Sequence, residues 1–293
     1  MGIVGYDRFG RHSCNIEVPH ATREADRRFL VPAVYAKWFL RVASRFSFQQ
    51  ILFLKGRNIV QREYHKWWSK DLQRDMALLC FGHTGRKILV FPTSRGRFFE
   101  YEDNKMIAAA ADKLDAGEIQ IYCVDSVDEE SWYNSWAHPY WRLQRHLQYE
   151  RYIINDVFPL MWNKNWTPYT AVTGCSFGAY HAVNFAFRHP DKVTECVSMG
   201  GSFDIKSFLD GWYSEDVYFN NPPDYLANCT DGWRYNHMRT VLATGEWDMC
   251  WQKNEEFAAI LRARGIRHEL HVWGDQSYHD WPWWRPMARA YLE

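Results

Sequence analysis

The sequence predicts an α/β fold, with helices flanking a mostly parallel central sheet, and three observations carry that expectation. From Asn58 onward, short apolar runs alternate with helical stretches, the order expected of strands joined by helices. Residues 87–91 read as a short apolar strand, which belongs at the centre of a sheet covered on both faces. The run Gly174-Cys175-Ser176-Phe177-Gly178 then sets G-x-S-x-G between a β-prone segment and a helical one.

The chain has 293 residues and is 47% hydrophobic, enough to bury a large core. Its 35 basic and 35 acidic residues cancel, so composition supplies no general reason to expect a nucleic-acid or acidic partner. The seven cysteines (Cys14, Cys80, Cys123, Cys175, Cys196, Cys229, Cys250) contain no C-x-x-C pair. Several lie in apolar runs, which reads as small buried hydrophobes in a reducing compartment. The chain opens Met-Gly-Ile-Val-Gly and turns directly to charged residues, so a secretory signal is not expected and a cytoplasmic location is. Aromatic residues make up 17%, with 16 tryptophans; a cluster of them near the G-x-S-x-G turn would shape an acyl or aryl pocket.

Residues 1–57 form a locally basic N-terminal extension. Lys37, Arg41 and Arg45 recur four apart among Val34, Trp38, Phe39, Val42 and Phe46, the pattern of an amphipathic helix. Three spaced charges argue against a membrane span. Packing on the body of the domain, or an appendage without a role, is the plainer reading beside an interfacial or partner-binding helix.

Residues 58–293 read as one domain. Residues 59–64 and 76–81 are expected to open it as an antiparallel pair around the turn-rich 69–75. Strand 87–91 runs into Pro92-Thr93-Ser94-Arg95-Gly96. Residues 104–117 are alanine-rich and helical, ending at Gly117, and 119–124 is the next strand. Residues 131–141 crowd Trp132, Tyr133, Trp136, Tyr140 and Trp141 together, with His138 ahead of Pro139 reading as a turn or packing residue. A long helix is expected over 141–163, interrupted near Pro159.

Ala171, Val172 and Thr173 lead into the serine turn. Beyond it Ala179, Ala182, Val183 and Ala186 mark one helix face, which Pro190 stops. Strand 192–199 ends at Gly200-Gly201. Residues 206–237 have weak periodicity, with Pro222-Pro223, Gly211 and Gly232, and read as a short lid or a surface loop. Strand 239–244 carries Gly245-Glu246-Trp247-Asp248 at its carboxyl end. Phe257, Ile260 and Leu261 mark a helix that Gly265 closes. Strand 268–273 leads to His279-Asp280 and a tryptophan-rich helix from Trp281. No internal repeat is evident.

A hydroxyl is a weak nucleophile near neutral pH and needs an imidazole to take its proton, and the imidazole needs a carboxylate to fix its tautomer. The order Ser176, Asp248, His279 supplies all three. Glu246, Asp275 and Asp280 compete for the acid's role, and His181 and His271 for the base's. His181 reads as a packing residue on the helix behind the serine. The oxyanion donors expected are the backbone N–H groups of Phe177, at the positive end of a helix, and of Ser94, with Thr93 its close competitor. His-x-x-x-His, paired C-x-x-C, G-x-G-x-x-G and Walker A patterns are absent, so no cofactor and no metal are expected.

Residues 174–178, 243–248 and 279–284 give the chain a resemblance to the putative-esterase branch of the α/β hydrolases, the group of esterase D-like enzymes, over roughly residues 60–293. The resemblance implies the α/β-hydrolase fold, carboxylic ester hydrolysis through an acyl-enzyme and a homo-oligomer, with a triad at Ser176, Asp248 and His279. It departs at the oxyanion loop, where a histidine-glycine pair is usual and Pro92-Thr93 stands. The expected activity is hydrolysis of short-chain or aryl esters, a small-molecule substrate. The alternatives are acyl transfer or thioester hydrolysis by the same residues, and a non-catalytic binding protein on the same fold.

Overall fold

The computed structural model describes residues 60–292. The basic amphipathic extension expected over residues 1–57, and Cys14 within it, lie outside the described residues.

Eight strands form one sheet: β1 (Arg62–Ser69), β2 (Arg74–Phe81), β3 (Arg86–Phe91), β4 (Ile119–Val124), β5 (Thr170–Cys175), β6 (Glu195–Met199), β7 (Arg239–Gly245) and β8 (Glu269–Trp273). Their order is β1-β2-β4-β3-β5-β6-β7-β8. β1 and β2 are antiparallel, β2 is antiparallel to β4, and every later pairing is parallel. The order reverses around β3, which lies between β4 and β5, and in open parallel sheets such a reversal opens a crevice at the carboxyl ends of the strands.

The parallel strands are apolar along their length because both faces are covered. Leu89, Phe91, Val172, Cys196 and Leu242 pack on one side with residues of the Pro139–Tyr152, Phe177–Arg188 and Trp251–Ala263 helices. Ile88, Val90, Ala171, Val197 and Val241 pack on the other with Met106, Ile107 and Met287. Each of the Val, Leu, Ile, Phe and Met side chains among them contributes about 1.5–3 kcal/mol on leaving water, offset by the entropy of ordering it.

Several boundaries differ from the sequence expectation for identifiable reasons. β1 spans Arg62–Ser69 rather than 59–64, because Trp67 stacks on Tyr152 at 5.9 Å and the ladder continues to Ser69 opposite Arg74. The helix expected over 104–117 is two short pieces, Met106–Ala109 and Ala111–Asp115, preceded by a third at Glu100–Asp103. Lys105 at φ +64° and Ala110 separate the three, and the pieces turn Met106, Ile107 and Leu114 onto the sheet; burial outweighs alanine propensity here. The next helix starts at Pro139, two residues early, where the His138 imidazole caps it by accepting from the Tyr140 N–H at 3.2 Å. It widens into a π turn over Ile153–Val157 before continuing as Phe158–Lys164. That is where Pro159, lacking an N–H and crowding the carbonyl four residues back, is accommodated. β6 begins at Glu195 because Asp191 and Lys192 remain in the turn that leaves the preceding helix.

Residues 206–237 hold the short helices Lys206–Phe208, Glu215–Tyr218, Pro222–Ala227 and Gly232–Tyr235. Asn221 Oδ1 accepts from the Ile205 N–H at 3.0 Å, and Leu226 and Tyr235 are buried in the core. Among the described residues all six cysteines are free and only Cys229 is part-exposed. No helix among them is long and apolar enough to cross a membrane.

His146 sits inside this core, its ring 4.9 Å from that of Trp132 and its Nε2–H donating to Asn220 Oδ1 at 3.1 Å, with no partner at Nδ1. Burial, with the neighbouring His181, pushes its pKa down to about 3. The unfolded chain therefore binds a proton here before the folded one does. Stability should fall as pH drops from about 6.5 toward 3, and urea unfolding of His146→Asn across that window should show a shallower slope than the parent. Gly85 tests the backbone. At φ +96° its missing Cβ would stand 2.2 Å from the Glu118 carbonyl oxygen. Gly85→Ala should cost about 2–4 kcal/mol and lower the melting temperature by roughly 5–10 °C in a thermal scan.

Candidate active site

β5 ends at Cys175, the Phe177–Arg188 helix begins two residues later, and Ser176 alone makes the corner. Its backbone sits at φ +56°, ψ −119°, a region that L-residues adopt at a cost of about 1–3 kcal/mol. The corner is held from both sides. The Ser176 N–H donates to the Met199 carbonyl at 2.9 Å, and its own carbonyl accepts from the Ala179 N–H at 3.1 Å. Two glycines allow the close packing around it. A Cβ on Gly174 would fall 2.3 Å from the Gly178 carbonyl carbon, and one on Gly178 would fall 2.5 Å from the carbonyl oxygens of Phe91 and Pro92. The start of the helix therefore rests directly on the end of β3 and the loop that follows it.

His279 reaches this corner from the loop after β8. Its Nε2 lies 2.8 Å from Ser176 Oγ, and its Nδ1 lies 2.8 Å from Asp248 Oδ1. With Nδ1–H donated to the carboxylate, Nε2 is left as the acceptor for the serine hydroxyl. Asp248 stands just past β7, its side chain fully buried, and Oδ1 also accepts the Cys250 N–H at 2.7 Å. The imidazole packs edge-on against Trp284 at 4.9 Å. Gly200, at φ +58°, keeps this corner open: a Cβ there would lie 2.7 Å from Asp248 Oδ2 and 3.0 Å from His279 Nδ1.

The competing acids are engaged elsewhere. Glu246 accepts the Gln276 N–H at 2.8 Å, Asp280 caps the last helix through the Trp281 N–H at 2.7 Å, and Asp275 is an exposed turn residue at φ +60°. His271 faces Glu269 at 3.0 Å on β8. Asp248, Cys250 and His279 bring ligand-type atoms within 4.8 Å of one another. Asp248 and His279 bond each other, and burial pushes the Cys250 thiol up to about 11.

The loop after β3 is built by acceptors from three directions. Glu100, its pKa raised by burial, takes the Thr93 N–H at 2.9 Å and the Thr93 hydroxyl at 2.6 Å. Asp128 Oδ2 takes the Arg95 N–H at 3.2 Å, and Arg97 forks onto buried Asp125 at 2.6 and 2.9 Å. The N–H of Ser94, between Thr93 and Arg95, has no acceptor among the described residues. Phe177, as first residue of its helix, has no intrahelical acceptor for its N–H either.

Sequence reasoning read His181 as a packing residue and did not single out Asp128. His181 does stack on Phe91 and Phe177, but it also donates from Nε2 to Asp128 Oδ1 at 2.9 Å, with both side chains nearly inaccessible. Asp128 thus ties the helix behind Ser176 to the loop carrying Ser94. Nothing in the local sequence marks it, because its partners are 33 and 53 residues away. The aromatic run at 131–141 was the legible signal: the Tyr133 hydroxyl donates to Ser94 Oγ at 2.7 Å, and its ring meets Phe177 at 5.5 Å and Phe208 at 4.9 Å.

A search by sequence among curated proteins returns no match. Solved structures do resemble the chain. A ferulic acid esterase superposes with a TM-score of 0.65 at 16% identity, covering 79% of this chain and 95% of its own. An S-formylglutathione hydrolase from Staphylococcus aureus gives 0.63 at 14%, covering 79% and 94%. One from Agrobacterium tumefaciens gives 0.64 at 11%, covering 80% and 93%. At these identities the likeness is one of fold, an α/β-hydrolase architecture. The sequence itself matches the family described as Putative esterase over residues 98–290, two thirds of its length, and the chain belongs to that family.

Proposed function

We propose that this esterase cleaves small carboxylic esters through an acyl-enzyme, with Ser176 as nucleophile, His279 as proton shuttle and Asp248 as the acid that orients it. The observation that carries the reading is the unbroken hydrogen-bonded line from Ser176 Oγ through His279 to Asp248, 2.8 Å at each step. Ser176 Oγ attacks the ester carbonyl as Nε2 takes its proton. The imidazolium then returns that proton to the departing alcohol, and a water deprotonated by the same nitrogen releases the acid. Asp248 accepts the Nδ1–H bond throughout.

The N–H groups of Phe177 and Ser94 are the oxyanion donors in this reading. Ser94 is preferred to Thr93 because the Thr93 N–H is already spent on Glu100. Tyr133, Phe177 and Phe208 beside the nucleophile, with Trp247 against Tyr278 next to His279, supply flat apolar surface suited to a short acyl chain or an aryl group. Phe208 belongs to residues 206–237, which serve here as the lid. A thioester would follow the same course with a thiolate leaving, and the S-formylglutathione hydrolase neighbours make it the second substrate to assay.

Ser176→Ala should reduce p-nitrophenyl acetate hydrolysis at least about 10³-fold and abolish covalent labelling by a fluorophosphonate, with the melting temperature nearly unchanged. Hydrolysis close to the parent's would remove Ser176 from the mechanism.

A further inference from the structure

The opposite end of the central strands holds a second feature with chemistry of its own. Lys87 and Thr170 pair near the amino ends of β3 and β5, whereas Ser176 follows the carboxyl end of β5. Lys87 is 2% exposed, and its ammonium lies over the Trp162 ring, 4.6 Å from the centroid. Among the described residues no carboxylate and no hydrogen-bond acceptor meets it. A ring face offsets only part of what an ammonium loses when most of its water is stripped away, and burial lowers the Lys87 pKa accordingly.

Lys87 lines a cavity of about 500 Å³ whose walls include Ile154, Phe158, Met161, Trp162 and Pro168. That volume suits a small organic molecule, and the walls suit an apolar body. Asp191 and Lys192 also line the cavity, but they pair with each other at 2.9 Å. The charge left to face a ligand is that of Lys87. A cation or a neutral apolar guest would leave the ammonium without an acceptor; a carboxylate would supply one.

We propose that this cavity is a binding site, separate from the Ser176 cleft, for a monocarboxylate with an aryl or short alkyl body, whose carboxylate accepts a hydrogen bond from Lys87 Nζ. The site does not depend on the esterase mechanism, and Ser176→Ala should bind such an acid as the parent does.

Titration calorimetry of the full chain with 4-phenylbutyrate tests it. The expected result is one saturable site, weakened at least about tenfold both in Lys87→Met and when 4-phenylbutyramide replaces the acid on the parent chain. Lys87→Met exchanges a buried charge for an apolar side chain of similar length, and a melting temperature equal to or above the parent's verifies its fold; the amide comparison does not need the variant at all. Absence of saturable binding, equal binding by Lys87→Met, or equal binding of acid and amide would each overturn the proposal.

Discussion

The contact on which the rest of this structure depends is the one that Gly178 permits. A backbone without a side chain at that position lets the first turn of the Phe177–Arg188 helix sit against the carbonyls of Phe91 and Pro92. The same contact sets the distance between the Phe177 N–H at the head of the helix and the Ser94 N–H in the loop. In the proposed mechanism these two donors serve one developing charge, which requires their spacing to be decided before substrate arrives, since reorganising them during reaction would raise the barrier. The strained corner at Ser176 is the other half of this arrangement. Its cost is carried by the buried ladder of β5 between β3 and β6 and by the hydrogen bond to Met199.

Around that contact the protein uses buried and part-buried acids as scaffolding. Glu100, Asp125 and Asp128 each accept from the loop after β3, and Asp128 is shared with His181 on the helix behind Ser176. A buried carboxylate is costly unless several donors meet it, and these acids are met mainly by backbone N–H groups, an Arg fork and a His. They occupy the Thr93 and Arg95 N–H groups and leave the one between them open, so the same hydrogen bonds that hold the loop also select its free donor.

The helix expected over residues 104–117 and its fragmentation show where local patterning stops being informative. Alanine content argues for one continuous helix, yet Met106, Ile107 and Leu114 must all meet the same sheet face, and Lys105 takes a left-handed conformation to bring them there. The long helix near Pro159 is the reverse case. Pro159 has no N–H to give the carbonyl four residues back, so an interruption inside a long helix could be read in advance, and only its form as a π turn could not.

By itself the sequence determined the α/β class, the antiparallel opening pair, the strand-turn-helix around Ser176 and the chain order Ser176, Asp248, His279. Each of these is written in local spacing: apolar periodicity, glycines flanking a serine, and turn residues at strand ends. What only the tertiary structure decided is which acid meets His279, which N–H stands free in the loop after β3, and that His181 is bonded to Asp128 rather than merely packed. Those outcomes depend on distances between residues 31 to 53 positions apart. Such distances are set by sheet order and helix packing, to which no run of neighbouring residues is sensitive.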